Sequence, residues 1–182
     1  GTAGDFSAGV IATQGAFTVD GAAATTGSIT LTTVTAGGNL TISMGAGTGS
    51  LTLVDGQTAG GFTVDGSSFG GALDISNVSA SGAVVISTGS AGDLSAATIH
   101  TTGAITVDGA AATTGSVAFT TLSASGAVTI SMGSGTGGIA ATTNIQTEKG
   151  FTLDASSFLG TVDITSVTAS GASTVSIGGG DY

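Results

Sequence analysis

Residues 15–49 read GAFTVDGAAATTGSITLTTVTAGGNLTISMGAGTG, and residues 103–137 read GAITVDGAAATTGSVAFTTLSASGAVTISMGSGTG, an offset of 88 residues with no gap. Self-similarity at a fixed period marks an array that stacks like units, so it is read before any single residue. The unit divides again: Phe17-Thr-Val-Asp-Gly recurs from Phe62, Ile105 and Phe151, at spacings of 45, 43 and 46 residues. Each half divides once more. FTVDGAAATTGSITL (17–31) aligns with LTISMGAGTGSLTL (40–53) when one Thr is skipped, and both run on to TAGG, at 35–38 and 58–61. The basic unit is therefore 21 to 24 residues long, and about eight of them fill the 182-residue chain.

Within a unit the apolar residues alternate with period 2, which is the strand signature. A first strand places Phe17/Val19, Leu40/Ile42, Phe62/Val64, Val84/Ile86, Ile105/Val107, Val128/Ile130 and Phe151/Leu153 on one face. The residues between them form an outward ladder of Thr18, Thr41, Thr63, Val85, Thr106, Thr129 and Thr152. A second strand offers Ile29/Leu31, Leu51/Leu53, Leu73/Ile75, Val117/Phe119 and Val162/Ile164. A shorter third contributes Ile11, Val34, Val78, Ile99, Leu122, Ile145 and Val167. Three short strands per unit of roughly 22 residues predict an all-β parallel solenoid of about eight coils. Each coil adds a rung ~4.8 Å high to three parallel sheets. Corner glycines are expected to supply the positive φ of tight turns. The absence of Pro suits a backbone whose N–H groups nearly all belong to ladders. No segment carries a helical period with caps, so no helix is expected. The competing fold is a pair of tandem immunoglobulin-like β-sandwiches of 88 residues, which the internal repeat of about 22 and the absence of Trp disfavour.

The array is expected to form one continuous domain over residues 1–182, with repeat copies at about 1–88 and 89–177 and residues 178–182 starting a third. Gly89-Ser-Ala-Gly-Asp-Leu matches Gly1-Thr-Ala-Gly-Asp-Phe, and Gly178-Gly-Gly-Asp-Tyr echoes both. Neither terminus reads as the polar cap a solenoid needs. The expectation is a window from a longer array, or a subunit covered by its neighbours.

Composition narrows the function classes. Eleven acidic residues face one Lys and no Arg, for a net charge of −10. Phosphate contacts need cations, so nucleic acid is not an expected partner, and neither is an anionic membrane surface. No apolar run approaches the ~18 residues of a membrane helix, and the aromatic girdles of a membrane barrel are missing, so no membrane insertion is expected. With no Cys there is no disulfide framework.

Asp carries the only plausible chemistry. Asp20, Asp65, Asp108 and Asp154 follow the first strand in every second coil, and Ser43, Ser87 and Ser131 take that place in the coils between. Successive carboxylates then stand ~10 Å apart, about a Debye length, which limits repulsion along the ladder. Paired acid–base carboxylates need a cleft between them and closer spacing. The calcium candidates are Asp74 with Asp93 and Asp163 with Asp181, expected on the second sheet in adjacent coils, where Gly-rich turns could add carbonyl oxygens. The β-roll signature G-G-x-G-x-D-x-U-x is absent, and no other cofactor is implied. Gly45-Ala-Gly-Thr-Gly and Gly133-Ser-Gly-Thr-Gly read as turns, because a strand follows where a phosphate site needs a helix. His100 and Lys149 are single residues whose counterparts 88 positions away are Ala12 and Gly61. They read as surface residues, and no nucleophile elbow surrounds any Ser. Asn39-Leu-Thr and Asn77-Val-Ser match the glycosylation pattern.

In its Gly/Thr/Ser/Ala-rich, acidic, Cys-free repeats the whole chain resembles the repetitive regions of very large bacterial surface and secreted proteins, such as type I-secreted adhesins and S-layer proteins. The resemblance implies an extracellular or cell-surface location, a structural or adhesive role and no enzymatic activity. The expected function is a stiff acidic rod in a surface filament, adhesin stalk or S-layer. Its partners would be further copies of itself or neighbouring repeats of the same chain. The alternative is a binding module for ice, a glycan or a phage-fibre receptor. The Thr ladder speaks for ice, and the lack of outward aromatic platforms speaks against sugar.

Overall fold

In a computed structural model the chain is described over residues 4–21, 26–90, 92–109 and 114–178. It is a parallel β-solenoid of about seven turns with no helix among these residues. Each coil contributes a long strand and a short one. The long strands are Phe6–Thr13, Ile29–Ala36, Ser50–Thr58, Ala72–Ala80, Leu94–Thr101, Val117–Ala124 and Gly138–Thr147, and the eighth is split into Thr161–Ile164 and Val167–Ala169. The short strands are Phe17–Gly21, Leu40–Met44, Phe62–Asp65, Val84–Ser87, Ile105–Gly109, Val128–Met132, Phe151–Ala155 and Ser173–Ile177. Long strands pair only with long strands of the next coil, and short with short, always in parallel. Parallel pairing throughout rules out the tandem immunoglobulin-like alternative, whose sheets are antiparallel.

The expectation of three short strands per coil is corrected to two strands forming two sheets, and the reason is local. In Ile29–Ala36 the buried residues are Ile29, Leu31, Val34 and Ala36, so Thr32 and Thr33 point outward in succession. Alternation fails there because the strand bends round a corner. The ladder nevertheless continues: Ala8 pairs with Leu31, and after one skipped position Val10 pairs with Thr33. The second and third strands read from the sequence are thus two arms of one bent strand. They separate only in the last coil, at Ile164 and Val167.

Between the sheets lies one continuous apolar core. Leu31, Leu40, Ile42, Leu51, Leu53, Phe62, Val64 and Ile75 are all fully inaccessible, and the pattern repeats through Phe151 and Leu153. Every residue placed on the first-strand inward face is there, from Leu40/Ile42 to Phe151/Leu153, in the register expected.

The corner glycines serve a purpose other than the expected one. No described residue has positive φ. Instead, a Cβ built on Gly27, Gly49, Gly71, Gly115, Gly137 or Gly160 would overlap the carbonyl oxygen of the corner glycine one coil earlier, and one on Gly92 would stand 3.0 Å from Gly71 O. The turn entering each long strand stacks backbone on backbone, at a separation that leaves no room for a methyl group. Glycine is required by close approach, not by dihedral angle.

Candidate functional site

The short-strand sheet exposes two straight ladders. Thr18, Thr41, Thr63, Val85, Thr106, Thr129, Thr152 and Thr174 lie in one row, each opposite the next. Two residues on, the registers give Asp20, Ser43, Asp65, Ser87, Asp108, Ser131, Asp154 and Ser176 in unbroken alternation. Acidic rungs are therefore two coils, ~10 Å, apart. That spacing serves charge relief, and no second carboxylate stands in the adjacent coil of this ladder to make an acid–base pair.

Two of these carboxylates are engaged in their own turns. Asp65 Oδ1 accepts hydrogen bonds from Ser67 N at 3.1 Å and Ser67 Oγ at 2.8 Å. Asp154 Oδ1 accepts from Ser156 N at 3.1 Å and Ser156 Oγ at 2.7 Å. The Ser156 hydroxyl, and then its backbone N–H, hold the Asp154 carboxyl below the ordinary 3.8. A depressed folded-state pKa means that the ionised form is the better bound one. The turn's contribution is therefore complete above about pH 4 and is lost as pH falls through the Asp154 value. Replacing Ser156 with Ala should move the Asp154 pKa up towards 3.8, read by carboxyl-carbon NMR titration. An unchanged titration would show that the hydroxyl does not set it.

Asp74 and Asp93 do not converge. Asp74 lies on the long-strand sheet opposite Thr52 and Ser95. Asp93 precedes the next long strand, and since Leu73 pairs with Leu94 it stands level with Ala72, not with Asp74. Its Oδ1 accepts the backbone N–H of Ser116 at 2.8 Å, one coil on, and Asp5 Oδ1 treats Ser28 N in the same way at 2.9 Å. Asp163 is on the last long rung opposite Ala140. Asp181 lies outside the described residues. Among the described residues no three His, Asp or Glu side chains gather as a metal site would require.

His100 sits on the outward row Thr35, Gln57, Ser79, His100, Ser123, Gln146, near the end of the long strands. Two shallow depressions of about 570 and 400 Å³ follow this corner along the rod, the first lined by Thr35, Gln57 and Ser79, the second by His100, Ser123 and Gln146. Glu148, in the second depression, belongs to a coil two rungs beyond His100, with the coil of Ser123 between them. Lys149 occupies the following turn, its carbonyl accepting from Gly171 N. The corner offers a row of hydroxyls and amides with one imidazole, His100, between Ser79 and Ser123.

One feature is inward and was not read from the sequence. The last inward residue of each long strand alternates Thr13, Ala36, Thr58, Ala80, Thr101, Ala124, Thr147, Ala169. Thr58, Thr101 and Thr147 are buried, and each donates its hydroxyl to the carbonyl of a turn residue one coil earlier: Gly38, Gly82 and Gly126 respectively. Each also accepts a backbone N–H two residues on, from Gly60, Gly103 and Lys149. The hydroxyl thus clamps successive turns together. Thr101→Val keeps the shape and strands both partners, which should cost about 1–3 kcal/mol in denaturant unfolding, with Thr101→Ser nearer wild type. Equal stability of the Val variant would show that the clamp contributes nothing.

Comparison with family models, with curated proteins and with solved structures returns no match.

Proposed function

We propose that the chain is a rod-forming structural segment of an extracellular assembly, a surface filament, adhesin stalk or S-layer, and that it is not an enzyme. The observation that carries this reading is the unbroken stacking of rung on rung through every coil. A parallel array of this kind transmits force along its axis through backbone hydrogen bonds, and small residues suffice to build it. The outward chemistry supports the same reading, because its carboxylates are spaced apart or engaged in turns and its hydroxyls stand in rows. Net charge of −10 opposes lateral clumping of such rods. The resemblance of the repeats to those of large bacterial surface proteins supports an exported location.

An antibody against this segment, used as a gold label in electron microscopy of the native source, tests the reading. The expected result is label strung along thin fibres or set in a surface lattice. Label confined to fibre tips or to discrete soluble particles would overturn it and favour a binding module. That second reading has one specific support, the hydroxyl- and amide-lined corner from Thr35 to Gln146, and glycan-array binding by the purified chain would be its signature.

A further inference from the structure

The chain has only six long polar side chains, Gln14, Gln57, His100, Gln146, Glu148 and Lys149, and the fold gathers all six on one corner of the rod. Gln57, His100 and Gln146 stand in the outward row that ends the long strands. Gln14, Glu148 and Lys149 stand in the turn that follows it, and all six are exposed. Counted from the coil of Phe6–Thr13, they fall in the first, third, fifth and seventh coils alone. The coils between place Thr35, Ser79, Ser123 and Thr168 in the row instead. Long side chains thus recur every two rungs, ~10 Å, with a small hydroxyl between them.

Two further observations set this corner apart. The coils with long side chains are the clamped ones: Gln57, His100 and Gln146 each directly precede a buried Thr whose hydroxyl ties two turns together. The backbone beneath them is therefore fixed, as a recognition site requires. Gln57 is held further, its Nε2 donating to Asp55 Oδ2 at 3.1 Å. Lys149 also departs from the rule of its own column. The equivalent residue is glycine in every other coil, from Gly15 through Gly126 and again at Gly171. A Cβ on Gly103 would stand 2.6 Å from Ala83 N, and one on Gly126 would stand 2.6 Å from Ala104 N. A residue that breaks the local rule of a repeat marks a functional position.

We infer that this corner is a binding groove for a neutral, extended β-1,4-linked polysaccharide lying along the rod, one sugar to a rung. The two depressions of about 570 and 400 Å³ are stretches of that groove. Primary amides, an imidazole and hydroxyls offer donors and acceptors side by side, which is what sugar hydroxyls need. Alternate sugars of a straight β-1,4 chain present opposite edges, so a two-sugar repeat meets the two-rung alternation of long and small side chains. No Asp stands in the row or in the turn position after the clamp, and the net charge of −10 repels a polyanion. No aromatic or large aliphatic side chain stands there to anchor a protein. The same lack means that a lone sugar has no stacking platform, so affinity comes from repetition along the polymer. The inference deepens the second reading above by naming its surface and ligand, and a rod can hold such a polymer along its length.

The test is calorimetric titration of the purified 182-residue chain with cello- and chito-oligosaccharides from one sugar to about eight. Affinity should be absent for the single sugar, rise with length, and change little in high salt, because the ligand is uncharged. Gln57→Ala with Gln146→Ala should weaken binding of the longest probe about tenfold or more. Lys149→Gly, which restores the residue of every other coil, should weaken it too. Thr63→Ala with Thr106→Ala, on the short-strand sheet, should leave binding unchanged. Circular dichroism confirms that each variant keeps the fold. No binding by any probe, or binding indifferent to the glutamine pair, would overturn the groove. Self-association in sedimentation velocity that the glutamine pair abolishes, without glycan binding, would assign the corner to a protein and overturn the glycan. Gold label along fibres with no glycan bound would leave the rod standing and remove the groove alone.

Discussion

Gly137→Ala should destabilise the rod by about 3 kcal/mol or more, while Gly138→Ala, one residue on, should leave stability unchanged or raise it by about 0.5 kcal/mol. The two positions differ only in what a methyl group would meet. At Gly137 a Cβ would overlap Gly115 O and stand 2.7 Å from Gly115 C and 3.1 Å from Thr114 O. All of these are backbone atoms at the entry to a rung, so no side chain can turn aside. Relief requires the two coils to part, and the hydrogen bonds of the neighbouring strands resist that. At Gly138 the nearest atoms are Thr161 Oγ1 at 3.6 Å and Ser116 Oγ at 3.8 Å, ordinary contact for a methyl group. There the gain comes from the unfolded chain, which loses freedom when glycine is replaced. In a quasi-one-dimensional array the damage is also local. Amide exchange should quicken most at the contact between Val117–Ala124 and Gly138–Thr147, ahead of coils farther off. Equal midpoints for the two variants in urea would refute the close-approach account of the glycine column.

Much of this architecture is legible in the sequence because a solenoid repeats its instructions. The period-2 pairs such as Leu40/Ile42 name the inward face. The offset from Phe17 to Ile105 names the stacking, and the alternation of Asp20 with Ser43 foretells the outward ladder. The merging of two strands at Leu31–Val34 is not legible in this way. Periodicity reports where side chains point, and two outward residues in a row look the same whether the hydrogen-bonded ladder stops or bends. Glycine is ambiguous for a related reason. Gly49 has the same letter whether it is needed for positive φ or for a close carbonyl, and only the coil beneath it decides. Asp93 is a calcium candidate by sequence, yet its partner is a backbone N–H 23 residues away, reached only by stacking. The Thr/Ala clamp row hides because its members are common residues in a Thr-rich chain. It emerges once registers align Thr101 with Ala80 and Ala124.

The registers also explain why the repeat is 88 residues and not 44. The coils with Asp on the outward ladder join short strand to long through segments of two different sequences. Coils one and five use Asp-Gly-Ala-Ala-Ala-Thr-Thr-Gly, from Asp20 and Asp108, and coils three and seven use Asp65-Gly-Ser-Ser-Phe-Gly-Gly and Asp154-Ala-Ser-Ser-Phe-Leu-Gly. A two-coil alternation of charge and size is thus overlaid by a four-coil alternation of turns. The second turn type is closed by the aspartate–serine bonds described above and by Phe69 N to Gly66 O at 2.8 Å and Phe158 N to Ala155 O at 3.0 Å.

Phe69→Ala and Phe158→Ala should each cost about 3–5 kcal/mol, the range for emptying a site filled by a buried phenylalanine. Each ring is 1% exposed, although it sits in a turn where most neighbours are accessible. The sequence makes room for it in a particular way. A Cβ on Gly71 would stand 2.6 Å from Phe69 Cζ, and one on Gly160 would stand 2.7 Å from Phe158 Cζ. The ring tip therefore lies over the corner glycine of its own coil and plugs the gap between the two sheets. Removing it leaves a cavity that the corner cannot collapse to fill, because Gly71 and Gly160 already rest on the carbonyls of Gly49 and Gly137. The two sites are four coils apart, ~19 Å, so the losses should add in the double variant. Leu at either position should recover more than half of the loss, since it restores volume without the ring. Leu159→Gly should be close to silent, because that side chain is 57% exposed in the same turn. Urea midpoints for the five single variants and the double settle the matter. A loss below about 1 kcal/mol for Phe69→Ala would mean that the turn is held by its aspartate and serine alone, and that the ring is a passenger.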